Sequence, residues 1–218
     1  MTQSDNTLNK SIYEKNRIEY LERKTVMQFD TENYDITQKE RILLVNPPFY
    51  RFIGFSYEYN PMGLAYIGAC LRRTGYKTDL SNFDFPEKID PHEPDMLPFE
   101  QEYGKIYKTE MEKEDHPLWK EVEAKFNKEM PDIVGISLMT PQFAQAILTA
   151  KLAKKVKPDC RVIMGGVHPT ILPEECLESE YVDFVVVGEG EETIVELTNA
   201  ISSELKGDKV NYSEIKSV

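Results

Sequence analysis

The fold is decided by residues 131–197, which read PDIVGISLMTPQFAQAILTAKLAKKVKPDCRVIMGGVHPTILPEECLESEYVDFVVVGEGEETIVEL. Three short apolar runs rich in β-branched residues occur in this stretch, at 133–136, 161–164 and 182–187. None of them alternates strictly with polar residues, which is typical of strands buried on both faces of a parallel sheet. Over 142–156, apolar residues recur about every three to four positions, which predicts a helix. The stretch therefore predicts alternating strands and helices joined by right-handed crossovers.

A turn of small or polar residues follows each of the three runs. The turns are SLMTP at 137–141, GGVHPT at 165–170 and GEGE at 188–191. In an open parallel sheet the carboxyl ends of the strands share one edge, and ligands bind there near the point where the strand order reverses. Glycine lets the backbone approach a ligand closely. We therefore expect a large flat ligand at this edge.

The preceding half of the chain supplies further elements of the same kind. Strands are predicted at 41–46 and 76–83, and helices at 62–74 and 117–129. Together with the central stretch they predict a Rossmann-like or flavodoxin-like α/β domain over 41–206. Its sheet is expected to be doubly wound, parallel and five-stranded.

Three segments fall outside this pattern. Residues 1–40 are polar with a weak amphipathic repeat, and we interpret them as an N-terminal helical extension. Residues 84–115 contain several prolines and many acidic residues, and they form an insertion relative to a minimal α/β unit. Residues 207–218 are interpreted as the start of a linker to a further domain.

The loop after the first strand is strongly aromatic. Pro47 and Pro48 end the strand, and the sequence FYRFIGFSYEYN follows at 49–60. Such rings either pack into the core or line an apolar ligand face, and the sequence favours neither interpretation.

The charge of the chain bears on its partners. Thirty-eight acidic residues against 26 basic ones give a net charge of −12, which disfavours nucleic acid and anionic membranes as partners. No apolar run approaches the roughly 20 residues of a membrane span. The first ten residues do not have the apolar core of a secretory signal. These observations predict a cytoplasmic location.

Neither the cysteines nor the histidines are spaced as metal ligands. Cys70, Cys160 and Cys176 are far apart and are interpreted as reduced, buried thiols. His92 and His116 have acidic neighbours but no helical or hairpin spacing, so we interpret them as part of a solvated charged surface. No metal site is predicted.

Taken together, the turns resemble those of the cobalamin-binding domain at the N-terminus of many radical S-adenosylmethionine enzymes, over about 41–205. Ser137-Leu138-Met139 stands where methionine-synthase-type cobalamin domains have S-x-L, and Gly165-Gly166 follows Met139 after 25 residues. The turns GGVHPT and GEGE are similar to the G-G-x-H-P-T and G-E-G-E turns of the radical family. The resemblance implies cobalamin as the cofactor. It also implies a 4Fe-4S cluster and S-adenosylmethionine in the full enzyme only.

The chain departs from the family pattern in two places. The D-x-H-x-x-G motif is missing, since Asn46-Pro47-Pro48-Phe49-Tyr50 has no histidine. The resemblance then implies base-off cobalamin without a histidine lower ligand, its lower face covered by Phe49 and Tyr50. The C-x-x-x-C-x-x-C motif is also missing, so we do not expect this chain alone to cleave S-adenosylmethionine. We expect a radical S-adenosylmethionine domain or subunit as partner, and methyl transfer to an unactivated substrate carbon by the full enzyme.

The residues that we expect to contact the cofactor all lie in turns or loops that follow strands. They are Phe49, Tyr50, Ser137, Met139, Thr140, Gly165, Gly166, Val167, His168, Gly188 and Glu189. His168 is interpreted as bonding to a cofactor side chain or to neighbouring backbone rather than to cobalt. Thr140 and Glu191 have the alternative role of capping helices. No catalytic residue is predicted.

Two other functions remain open at this stage. A non-catalytic module of the same fold could have lost cobalamin and serve as an interaction domain. A flavodoxin-like or receiver-like domain is the weaker alternative. Pro47 and Pro48 remove backbone donors that a flavin phosphate loop needs, and no acidic cluster of the receiver type follows the first strand.

Overall fold

The five predicted strands form one parallel sheet. The computed structural model describes residues 36–53, 61–85, 109–111, 113 and 115–218. The strands are β1 Arg41–Asn46, β2 Lys77–Asn82, β3 Ile133–Ser137, β4 Arg161–Gly165 and β5 Phe184–Val185, in the order β2-β1-β3-β4-β5. This confirms the predicted α/β class. The strand order reverses between β1 and β3, so this pair marks the switch point.

The register places the carboxyl ends of the strands side by side. Asn46 of β1 pairs with Asn82 of β2, and Ser137 of β3 pairs with Gly165 of β4. Residues 42–45 of β1 are buried, as expected for a strand covered on both faces. The turns that follow these strands are therefore neighbours in space.

Helices cover both faces of the sheet. They are α1 Met62–Arg73, α2 Pro117–Glu129, α3 Phe143–Val156, α4 Val167–Ile171, α5 Pro173–Leu177 and α6 Thr193–Leu205. On one face α2 and α3 pack Phe126 and Ala150 into the core. On the other face α1 and α6 pack Leu71 and Leu197 against the sheet. This two-sided cover explains the continuous apolar runs 42–45 of β1 and 133–136 of β3.

Strand β5 is shorter than the apolar run 182–187 predicts. Val186 still donates its N–H to the Met164 carbonyl at 2.8 Å, but Val187 donates to the carbonyl of Ser217 at 2.9 Å. Val182, Val185 and Val186 of the run are buried, and the C-terminal tail packs beside its end. Tyr212 of this tail lies with its ring centroid 4.8 Å from that of Phe184.

The flanking segments are described only in part. The expected helical extension at 1–40 lies almost wholly outside the described residues, as does most of the insertion at 84–115. Residues 207–218 fold back on the sheet through a short 3-10 turn at Tyr212–Glu214. Among the described helices, none combines the length and the apolar character that crossing a membrane requires.

Candidate functional site

A cavity of ≈ 200 Å³ lies between the sheet and the helices α1 and α6. Its walls are mainly aliphatic side chains and glycines. The aliphatic ones are Leu44, Leu64, Ile67, Ile163, Val186 and Ile194. The turns after β3, β4 and β5 contribute Ser137, Gly166 and Glu189 to its lining, so the cavity reaches the carboxyl edge of the sheet.

Glycine is what keeps this cavity open. A Cβ atom on Gly135, within β3, would lie 2.8 Å from Cδ2 of Leu44. A Cβ atom on Gly190 would lie 3.2 Å from Cδ1 of Ile67. Side chains at these positions would push against β1 and α1 and occupy the space between them.

At position 166, glycine is required by the backbone conformation as well as by the lack of space for a side chain. Its φ of 103° belongs to the region that favours glycine, and a Cβ atom there would lie 2.8 Å from the Leu138 carbonyl oxygen. The turns after β3 and β4 are in direct contact at this point, since Leu138 donates its N–H to Gly165 at 3.1 Å. One rigid surface therefore forms from two separate turns.

Five exposed apolar side chains belong to α1, α4 and the turn after β3, which supply residues of the cavity lining or directly follow them. Met62 and Tyr66 stand on the first turns of α1, Met139 follows β3, and Val167 and Ile171 belong to α4. Between 47% and 64% of each of these residues is exposed to solvent. We call these five residues the apolar rim. Apolar surface concentrated in one place marks a binding site.

The structure brings most of the predicted contact residues to this one place. Ser137, Gly165, Gly166, Gly188 and Glu189 line the cavity. Met139, Thr140 and Val167 are exposed at the same edge. The other lining residues were not predicted as contacts. They include Gly63, Leu64 and Ile67 of α1, because the pattern that predicts a helix does not show which strand ends it covers.

His168 does not line the cavity. Its side chain is almost wholly buried, its Nδ1 lies 3.3 Å from Oγ1 of Thr140, and its ring centroid lies 4.5 Å from that of Phe143. Its Nε2 lies 3.6 Å from a carboxylate oxygen of Glu175. The side chain thus joins the turn after β3 to α4 and α5.

The structure does not show the capping roles that were the alternative for Thr140 and Glu191. Thr140 begins a 3-10 turn, Thr140–Gln142, whose N-cap is Met139. Helix α6 has Glu192 at its N-cap, without a side-chain hydrogen bond, and Glu191 lines the cavity instead. Glu191 is therefore available at the ligand edge, whereas the Thr140 hydroxyl contacts His168.

The start of the aromatic loop after β1, residues 49–51, is held by Asp84, which no sequence pattern singles out. Asp84 is buried, and its Oδ1 accepts the backbone N–H groups of Phe49 at 2.6 Å and Tyr50 at 2.8 Å. Burial raises the pKa of Asp84 to about 6, although these N–H donors and Arg51 act in the opposite direction. The two rings lie edge to face with centroids 5.0 Å apart.

The cysteines are not arranged to bind a metal. Burial raises the pKa of both Cys160 and Cys176 to about 11, so these thiols stay protonated at neutral pH. Cys70 is partly exposed, and all three are free. Within the described residues, no group of three histidine, cysteine or acidic side chains could hold a metal ion.

Comparison with known proteins decides the family. The B12-binding domain family matches residues 52–198, about two-thirds of the chain. This chain belongs to the B12-binding domain family. The match covers α1, β3, β4, β5 and the three glycine-containing or polar turns, and so includes most of the cavity described above.

Several curated proteins share part of this domain. The chain is 46% identical over 80 residues to an uncharacterized methyltransferase of Pyrococcus horikoshii and 37% identical over 82 residues to an anaerobic magnesium-protoporphyrin IX monomethyl ester cyclase of Rubrivivax gelatinosus. It is 28% identical over 153 residues to cytidylyl-2-hydroxyethylphosphonate methyltransferase of Streptomyces wedmorensis. These matches cover 35%, 37% and 69% of this chain. They cover only 17%, 15% and 26% of the relatives, so this B12-binding domain spans a minor part of their length.

Proposed function

We propose that this domain binds cobalamin with the nucleotide base detached from cobalt. The nucleotide tail lies in the cavity between the sheet and helices α1 and α6, and the corrin ring lies on the apolar rim. The observation that supports this most strongly is the cavity itself, which reaches the carboxyl edge through turns that lie within the part of the chain matched by the B12-binding domain family.

The size and chemistry of the cavity fit part of such a ligand. Pockets that enclose a whole drug-sized ligand measure about 300–1,000 Å³. A cavity of ≈ 200 Å³ has room for a flat heterocycle but not for the macrocycle, which has to lie outside it. Aliphatic walls suit the ring system, while the Ser137 hydroxyl and the glycine backbone at the mouth offer polar partners to the sugar and phosphate.

The lower face of the corrin would have no histidine ligand from the described residues. His116 caps α2, where its Nδ1 accepts the N–H of Leu118 at 3.2 Å, and His168 is buried against Phe143. His92 lies outside the described residues. Phe49 and Tyr50 follow β1 after Pro47 and Pro48, and they would cover the lower face with aromatic rings.

The reaction belongs to a larger enzyme in this proposal. When bound, cobalamin supplies a cobalt–carbon bond through which a methyl group can be carried. The residues of this chain bind and orient the cofactor, and the apolar rim keeps water from it. The 4Fe-4S cluster and S-adenosylmethionine would be held by a partner domain or subunit of the radical type, because the three thiols here are buried or scattered. Methyl transfer is the proposed reaction because two relatives are named as methyltransferases.

A retention experiment tests the cofactor proposal. The chain is mixed with hydroxocobalamin and separated by gel filtration, and the visible spectrum of the protein peak is recorded. We expect a base-off spectrum to co-elute with the wild-type protein. The variant Gly165→Leu should lose the cofactor, because Gly165 lines the cavity and a Cβ atom there lies only 3.9 Å from Val186, without backbone strain.

Ala124→Leu is the matched control, since it adds the same side chain to the exposed surface of α2. It should retain cobalamin like the wild type. If folded wild-type protein elutes without corrin at cofactor concentrations well above micromolar, the binding proposal is wrong. The interaction module that has lost its cofactor then becomes the better account.

A further inference from the structure

A continuous set of hydrogen bonds runs beneath the carboxyl edge across β2, β1 and β3. We propose that Asp84 and Gln142, at its two ends, are positioning residues that hold the start of the aromatic loop, residues 49–51, and the turn after β3 in one fixed arrangement, ready to receive the corrin ring. This inference rests on the proposed binding of cobalamin, and it adds residues that contact neither cobalt nor corrin.

The Asp84 end fixes the aromatic loop. A single carboxylate oxygen accepts the N–H groups of Phe49, Tyr50 and, at 3.5 Å, Arg51. Pro47 and Pro48 have no N–H, so Phe49 and Tyr50 carry the first backbone donors after β1. Only 2% of Asp84 is exposed, so water cannot replace it as the acceptor without opening the loop.

Arg51 extends this end of the network to the neighbouring helix. Its guanidinium group donates two hydrogen bonds of 2.9 Å to the carboxylate of Glu121 on α2, and a third to the Phe83 carbonyl at 3.1 Å. A paired, two-point contact of this kind fixes orientation as well as distance. The loop is thus anchored both to the residue after β2 and to α2.

The Gln142 end fixes the turn after β3. Its Oε1 accepts the Met139 N–H at 3.0 Å, and its Nε2 donates to Oδ1 of Asn46 at 3.3 Å. Asn46 in turn donates to Oδ1 of Asn82 at 2.8 Å, and this oxygen also accepts the Asp84 N–H at 3.1 Å. The chain of bonds is therefore unbroken from Met139 to Asp84.

The path of this hydrogen-bond network indicates a specific role for it. It crosses β1 and β3, the pair at which the strand order reverses and where ligands of such sheets bind. Met139 belongs to the apolar rim, whereas Phe49 and Tyr50 are the lower-face rings, so the network ties together the two surfaces that a corrin ring would meet. A surface fixed before binding has less ordering entropy to lose when the ligand arrives.

The test compares three substitutions in the whole chain. Asp84→Ala removes the acceptor, Asp84→Asn keeps an oxygen at the same place, and Asp132→Ala is the control. Asp132 makes the same type of bond at the opposite edge, where its Oδ2 accepts the Arg41 N–H at 2.8 Å. Two quantities are measured: the Kd for hydroxocobalamin by visible titration, and the amide hydrogen exchange of Phe49 and Tyr50 without cofactor.

We expect Asp84→Ala to raise the Kd roughly tenfold and to remove the protection of both amides, since buried donors lose their acceptor. Asp84→Asn should stay within about twofold of the wild-type Kd, because an amide oxygen still accepts both N–H groups. Asp132→Ala should leave the Kd and both amides unchanged even if it lowers stability.

Three results would overturn the inference. In the first, Asp84→Ala binds as the wild type does and its two amides stay protected. In the second, the Kd rises in all three variants in proportion to their lost stability, which would be a folding effect. In the third, the amides exchange freely in the wild type, so that the loop is not held. If wild-type protein binds no corrin although its amides are protected, the cofactor proposal fails and the positioning role toward corrin falls with it.

Discussion

Asp84 shows at the scale of one residue how burial and hydrogen bonding compete. Its pKa of about 6 in the folded chain lies above the value of about 4 for an exposed aspartate, so the native state holds its proton more tightly. The contribution of Asp84 to stability is therefore fully present below about pH 4 and is lost as the pH rises through 6. A shift of about two pKa units corresponds to roughly 3 kcal/mol. We predict that Asp84→Asn, which does not titrate, gains up to this amount relative to the wild type between pH 4 and pH 7.

Urea unfolding of both proteins across this pH range measures that difference directly. The comparison cancels the carboxylates that the two proteins share, whose pKa shifts act in either direction. A stability difference that does not change with pH would show that Asp84 is ionised at all of these pH values in the folded state.

At the scale of the helix, the end of α2 carries a local strain. Met130 caps this helix in the left-handed conformation, with φ 45° and ψ 54°, and its N–H donates to the Phe126 carbonyl at 2.8 Å. This conformation costs a side-chain-bearing residue about 1–2 kcal/mol, and glycine is the usual residue there. Since 43% of Met130 is exposed, little packing depends on its side chain. We predict that Met130→Gly raises the free energy of unfolding by roughly 0.5–1 kcal/mol, after the greater freedom of glycine in the unfolded chain is subtracted.

Chemical denaturation of Met130→Gly against Met130→Ala checks this prediction. Alanine retains the Cβ atom and the strain, so it should not stabilise the protein. An equal gain in both variants would mean that exposure of the methionine side chain, and not the backbone, limits stability at this position.

Strands and turns could be predicted from the sequence, whereas contacts between distant residues could not. Strands β1, β3 and β4 were predicted because burial on both faces leaves a continuous apolar run. The glycines of the turns after β4 and β5 were expected at the ligand edge because glycine lets the backbone approach a ligand closely, and Gly166 and Gly188 do line the cavity there. Asp84 was not, since it opens an acidic segment and its partners are backbone N–H groups 34 and 35 residues earlier. His168 was expected to contact the cofactor, but its side chain is buried against Phe143, and packing of this kind leaves no sequence pattern.

At the scale of the whole molecule, cofactor binding should stabilise the fold. A ligand that binds only the native state adds about 2.7 kcal/mol to the free energy of unfolding when its free concentration is about one hundred times its Kd. We therefore predict that the thermal midpoint of the wild-type chain rises with the concentration of hydroxocobalamin. Gly165→Leu should show no rise, whereas Ala124→Leu should follow the wild type. An equal rise in the Gly165 variant would mean that the corrin binds elsewhere on the molecule.

The C-terminal tail also shields an edge of the sheet that would otherwise invite self-association. Free N–H groups along an edge strand are a template for a strand of another molecule, which is the first step of aggregation. Here β5 has only two residues, and the next such donor, the Val187 N–H, is taken by the Ser217 carbonyl. At the opposite edge, β2 has the polar sequence KTDLSN and exposes Lys77, whose charge would be buried by an added strand. Both edges of this open sheet therefore pair poorly with a strand from another copy of the chain.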